Sequence, residues 1–131
     1  MEGRQNISGG SAYEPVMGYS RAVRVGDRVI VAGTAPQWPD GLVDPDAGVQ
    51  ARRCFEIIEA ALTEAGASFA DVVRTRVYLV TAADFEAVAA VHGEVFRDIR
   101  PANTTVVVAR LLNPAWRLEV EVEAVITGSA G

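Results

Sequence analysis

The sequence predicts an α+β fold in the order β-β-α-β-α-β-β, with two helices packed on one face of a mixed sheet. Three patterns predict it. From Leu118 to Ile126 polar and apolar residues alternate strictly. Side chains flip at every residue of a strand, so Glu119, Glu121 and Glu123 share one face and Leu118, Val120, Val122 and Ala124 the other. From Ala51 to Ala65 the residues Ala51, Phe55, Ile58, Leu62 and Ala65 recur at spacings of three and four, the stripe of an amphipathic helix. Val29-Ile30-Val31 and the run Asn103 to Ala109 are instead apolar on both faces, as in strands buried on two sides.

The elements follow in order. Residues 1–12 are small and polar (Asn6, Ser8, Gly9, Gly10, Ser11) and read as a loose arm. Val16 to Val25 reads as the first ordered piece, and Gly26-Asp27 as a hairpin turn into the strand Arg28 to Ala32, which Gly33 ends. A loop rich in turn formers follows, with Pro36, Trp38, Pro39, Asp40 and Gly41. Asp44-Pro45 opens the first helix and Gly66 closes it. Ser68 to Asp71 reads as a short capped turn into the strand Val73 to Val80. On that strand Arg74, Arg76 and Tyr78 point one way, and Val73, Thr75, Val77 and Leu79 the other. Thr81 to Asp84 has the form of a capping box for a second helix with the stripe Phe85, Val88, Val91 or His92, and Val95. Arg100-Pro101 stops that helix.

Two helices cover one sheet face only, while two strands are apolar on both. A lone subunit would leave valines in water, so the patterning predicts self-association through the second face. Length bounds the rest: 131 residues, half of them hydrophobic and 22% charged, make one domain over residues 1–131 and not two. The formal net charge of −5 opposes nucleic-acid binding, because phosphates would be repelled. No apolar run approaches the roughly 18 residues of a membrane span. The first residues lack the apolar segment of a secretory signal, and the single cysteine, Cys54, fits a reducing compartment. The expectation is a soluble, cytoplasmic protein.

Two constellations bear on chemistry. Arg74 and Arg76 alternate on one strand as the three glutamates do on another. If those strands are neighbours, the charges pair across them. Either the pairs are structural and fix register, or one glutamate stays free to orient a water or accept a proton. His92 stands without a second histidine or acidic partner at metal spacing, and Cys54 lies beside the helix stripe as a small buried hydrophobe. No metal cluster, Ser-His-Asp set or dinucleotide fingerprint is visible. Trp38 and Trp116 lie in Pro-containing loops that could wall a pocket or cap the core.

Taken together, Gly18-Tyr19-Ser20, the run Gly26 to Pro36, the helix from Gln50 to Leu62, the strand Val72 to Leu79, Arg100-Pro101-Ala102 and Glu119 to Ala124 resemble the Rid/YjgF family of reactive intermediate deaminases over nearly the whole chain. The resemblance implies a chorismate-mutase-like subunit of the bacterial trimeric type, and a homotrimer with small-molecule clefts between subunits. It also implies hydrolysis of enamines and imines without a cofactor. Carried over position by position, it implies Tyr19, Gly33, Asn103 and Thr105 as substrate-binding residues and Glu119 or Glu121 as the catalytic, water-orienting carboxylate. The repeat Glu-Val-Glu-Val-Glu leaves the register between those two open.

One departure stands out. Deaminase-competent members place an arginine after Arg-Pro-Ala to hold the substrate carboxylate; here that position is Asn103, followed by Thr104-Thr105. A charge-assisted bond is worth about 1.5–3 kcal/mol against about 1 for a neutral one. Its loss weakens a carboxylate-bearing imine by roughly one to two powers of ten. The expected ligand is therefore neutral or less dependent on such an anchor. The alternative is a trimer that binds a metabolite or partner without turning anything over.

Overall fold

In the computed structural model, which describes residues 3–127, the alternating C-terminal run lies inside the sheet. The elements are β1 (Arg4–Ile7), α1 (Tyr13–Met17), β2 (Ala22–Val25), β3 (Arg28–Thr34), α2 (Ala47–Glu64), β4 (Val72–Leu79), α3 (Phe85–Phe96), β5 (Ala102–Val107) and β6 (Leu118–Val125). They form one six-stranded sheet in the order β1-β2-β3-β6-β4-β5. Neighbours are antiparallel except β4 and β5, so the sheet is mixed, as expected. Strands β3 and β4 both run antiparallel to β6. The connection β3-α2-β4 is therefore a crossover around the strand inserted last, and β4-α3-β5 is a second crossover.

Alternation sets the core. Leu118, Val120, Val122 and Ala124 of β6 are at most 1% exposed and pack with Val29 and Val31 of β3 and Val77 and Leu79 of β4. The stripe of α2 (Ala51, Phe55, Ile58, Leu62) and Val88, Val91 and Phe96 of α3 cover this face. No helix among the described residues covers the other face, and Ile30 (46% exposed) and Val106 (43%) lie open on it. This is the exposure the patterning implied for a lone subunit.

The structure corrects the sequence reading in several places. The N-terminal residues are no loose arm from Arg4 onward: β1 pairs along β2 from Arg4↔Val25 to Ile7↔Ala22, and Ile7 is buried. Polar Gln5 and Asn6 hid this edge strand, whose order comes from pairing and not from its own pattern. The segment from Val16 is not yet strand. Tyr13–Met17 is a helical turn closed by Gly18 in the left-handed region at φ 81. Strand β3 continues through Gly33 to Thr34, with a register shift between Val31 and Thr34 opposite β6. A second shift, between Val72 and Arg74, turns Val73 outward to 47% exposure, while Val72 takes the core position. The cap of α2 is Asp46, whose carboxylate accepts from Val49 N at 2.9 Å, and Asp44 and Pro45 precede it. Ser68–Asp71 is the expected short capped turn, with Ser68 N donating to Asp71 Oδ2 at 2.9 Å. At Thr81–Asp84 only Thr81 caps, because the Asp84 carboxylate is taken by Arg117 Nη1 at 2.8 and 3.0 Å. Phe85 is 48% exposed and stands off the α3 stripe.

Candidate functional site

The register of β4 against β6 places Arg74 opposite Glu123, Arg76 opposite Glu121 and Tyr78 opposite Glu119. The expected cross-strand pairs form: Arg74 Nε to Glu123 Oε2 at 3.3 Å and Arg76 Nη1 to Glu121 Oε1 at 3.6 Å. Tyr78 Oη also donates to Glu121 Oε1. That bond, together with burial, raises the Tyr78 phenol above its ordinary pKa, since the proton is shared with a carboxylate.

Glu119, at the end of this ladder, differs. Its carboxylate has no hydrogen-bond or ion-pair partner among the described residues, yet it is half-buried. It rests against Gly33, where a Cβ would lie 2.6 Å from Glu119 Oε1. A side chain at Gly33 would push the carboxylate from this position. Burial raises the Glu119 pKa; Arg21 works against the rise and Glu121 adds to it.

Arg21, which the sequence reading passed over, joins this end of the sheet. Its Nη2 donates to the carbonyls of Ala32 and Gly33, each at 2.6 Å. Tyr19 is half-buried, lies close enough to Arg21 to interact with its charge, and donates its N–H to Glu14 O at 3.0 Å. Glu14, 9% exposed, accepts from Ser8 Oγ at 3.0 Å, Gly9 N at 2.9 Å and Ser11 N at 3.3 Å. Desolvation pushes this carboxyl up, but those donors outweigh it and hold its pKa below the ordinary value.

Asn103 and Thr105 lie elsewhere in the subunit. On the edge strand β5 they stand beside Thr75 and Val77, whose side chains face the helices. Asn103 Nδ2 donates to Thr75 Oγ1 at 3.0 Å, and Thr105 Oγ1 donates to Asn103 Oδ1 at 2.9 Å. Thr75 Oγ1 is also 2.9 Å from His92 Nε2, and burial lowers the pKa of that imidazole, favouring its neutral form. Within one subunit, then, β4 separates Asn103 and Thr105 from Glu119, and they lie on the opposite face of the sheet from it.

Other candidates take plain structural places. Cys54 is fully buried and its thiol is pushed far up by desolvation, so it is no nucleophile. No cluster of metal-binding side chains occurs among the described residues. A depression of about 410 Å³ lies at the Arg117 end of the sheet, lined by Val43, Pro45, Val80, Pro114, Trp116 and Arg117 among others, and it includes none of Tyr19, Gly33, Asn103, Thr105, Glu119 and Glu121. Buried Gln50 holds its wall: Nε2 donates to Asp44 O and Ala115 O, and Oε1 accepts from Arg117 N.

Comparison with known proteins bears on this geometry. A family model described as endoribonuclease L-PSP matches residues 9–126. An uncharacterized protein of Streptomyces coelicolor is 38% identical over 94% of this chain and 92% of its own length. A 2-iminobutanoate/2-iminopropanoate deaminase of Dermatophagoides farinae is 30% identical over 96% of this chain and 98% of its own. The crystal structure of Rv2704 from Mycobacterium tuberculosis, a member of the YjgF/YER057c/UK114 family, superposes with a TM-score of 0.87 at 41% identity, covering 94% of this chain and 99% of that one.

Proposed function

Because this chain belongs to the endoribonuclease L-PSP family, also called Rid or YjgF, we propose that it forms a homotrimer with small-molecule clefts between subunits. There it hydrolyses enamine, imine or related polarised C=N bonds without an arginine clamp on a substrate carboxylate. The observation that carries this reading is Glu119, the one member of the glutamate ladder whose carboxylate is unengaged, half-buried and seated on a bare glycine backbone. Of the two carboxylates open as catalytic, Glu119 is the better base, because Glu121 is held by Tyr78 and Arg76. The separation of Glu119 from Asn103 and Thr105 within one chain favours a site completed by a second copy, whose β5 edge would bring both residues to the cleft.

In this reading Glu119 takes a proton from a water that adds to the C=N carbon, and Tyr19 donates a hydrogen bond to the ligand. Glu119 returns that proton to the nitrogen, which leaves as amine or ammonia as the added hydroxyl gives up its own proton and the carbonyl forms. Gly33, Asn103 and Thr105 orient the ligand. An imine carbon is already electrophilic, so positioning and proton transfer suffice. Asn103 supplies amide hydrogen bonds and no charge, so neutral imines are preferred to carboxylate-bearing ones. An RNA substrate fits less well with a net charge of −5. Incubation with a panel of enzymatically generated imines tests the proposal. Acceleration that disappears in Glu119→Gln supports it, and no acceleration over buffer by either the parent or Asn103→Arg sinks it. A non-catalytic binding trimer is the second reading, and the pairing of Glu121 and Glu123 with arginines favours it for those two residues only.

A further inference from the structure

We propose that Arg21 is a positioning residue for Glu119. Its guanidinium holds the carbonyls of Ala32 and Gly33, fixing the bulge on which the Glu119 carboxylate rests. The inference rests on Glu119 being the working carboxylate of the site.

The geometry is restrictive at both ends of the Arg21 side chain. At the tip, Nη2 places one proton on each of two successive carbonyls at 2.6 Å, at the register shift where β3 no longer pairs evenly with β6. At the stem, Gly9 lies so close that a Cβ there would meet Arg21 Cδ, Cγ and Cβ at 3.0, 3.1 and 3.2 Å. Gly9 in turn gives its N–H to the Glu14 carboxylate at 2.9 Å, and Arg21 N donates to Ile7 O at 2.8 Å. The N-terminal segment thus clamps the stem while the tip clamps the bulge. Arg21 Nε is buried without a partner among the described residues. Leaving a buried donor unmade is unfavourable, so the orientation is imposed by the two carbonyl bonds and the clamped stem, not by satisfying every donor.

The charge arrangement agrees. The titratable groups whose charge reaches Glu119, or which its charge reaches, are Arg21, with Tyr19 beside it, from the segment before β2; Glu121 from β6; Tyr78 from β4; and, from the core under the opposite face, Cys54 of α2. Of these Arg21 alone is a cation. Burial raises the Glu119 pKa first, Arg21 lowers it, and Glu121 raises it again. Removing the guanidinium therefore leaves burial and the like charge unopposed, and the carboxyl holds its proton to higher pH.

The test needs no substrate, so its outcome is separable from that of the imine assay. The side-chain carboxyl of Glu119 is titrated by carbon-13 NMR in the intact protein and assigned by its disappearance in Glu119→Gln. Arg21→Gln is expected to move the midpoint upward, and Arg21→Lys, which keeps the charge, to restore most of the original value. If Arg21→Gln does not fold, Gly9→Ala reads the same point, since the added methyl displaces the stem and should move the midpoint upward with the charge still present. An unchanged or lowered midpoint in the folded variant overturns the proposal.

Discussion

Two carboxylates withdrawn from water meet opposite treatment in the two ends of this subunit. At the N-terminal turn, Glu14 accepts from Ser8 Oγ and from the N–H groups of Gly9 and Ser11, and its pKa is depressed. At the end of the β6 ladder, Glu119 is half-buried, has no donor of its own among the described residues, and has its pKa raised. Donors that satisfy a buried carboxylate help hold a fold together; a half-buried carboxylate without them marks a candidate functional group. Arg21 links the two regions, its charge felt by both Glu14 and Glu119.

The strongest break of the contrast is functional. Glu119→Gln should lower imine hydrolysis by about 10²- to 10⁴-fold, the range for loss of a positioned general base, while Glu14→Gln in a folded protein should leave the rate within a few-fold. Initial rates on a neutral imine decide it. Stability should read the other way. Glu14→Ala strands the donors around it and should cost about 2 kcal/mol in denaturant unfolding, the scale of one charge-assisted bond. Glu119→Gln should be neutral or slightly stabilising at neutral pH.

The pH dependence sharpens the same difference. Glu14 is depressed in the fold, so its contribution is fully present above the pKa of an unfolded glutamate and is lost as pH falls through the folded value. The deficit of Glu14→Gln should therefore shrink in acid. Glu119 is raised, so its ionised form opposes the fold at neutral pH and the penalty vanishes as pH falls through its folded value. Any advantage of Glu119→Gln should fade in acid. A gap that widens in acid for either variant contradicts these assignments.

On the binding side, Asn103→Arg should improve turnover of carboxylate-bearing imines over neutral ones by roughly ten- to a hundredfold, read as a ratio of kcat/KM. The smallest effect is expected at the paired end of the ladder. Arg74→Ala removes an ion pair whose arginine is 43% exposed, and surface pairs of this kind are worth about 0.2–1 kcal/mol.

What the sequence made legible was whatever a single strand or helix could express alone. The alternation of Leu118 to Ile126 gave the core side of β6, the spacing of Ala51 to Ala65 gave the buried stripe of α2, and matching charge patterns gave the Arg74–Glu123 and Arg76–Glu121 pairs. Features set by partners were not legible. β1 is polar and ordered only by its pairing with β2. Val73 faces out because a register shift interrupts alternation. Arg21 looked like one more charge before a strand, because the carbonyls it holds are aimed by a bulge eleven and twelve residues away. The resemblance implies Gly33 as a substrate-binding residue, but what lies against it within the chain is Glu119.

The uncovered sheet face and the proposed site shared between copies both require self-association. Light scattering of the purified protein at micromolar concentration measures this directly. The predicted mass is three times the 13.9 kDa of one chain, and a stable particle of a single chain mass would contradict it.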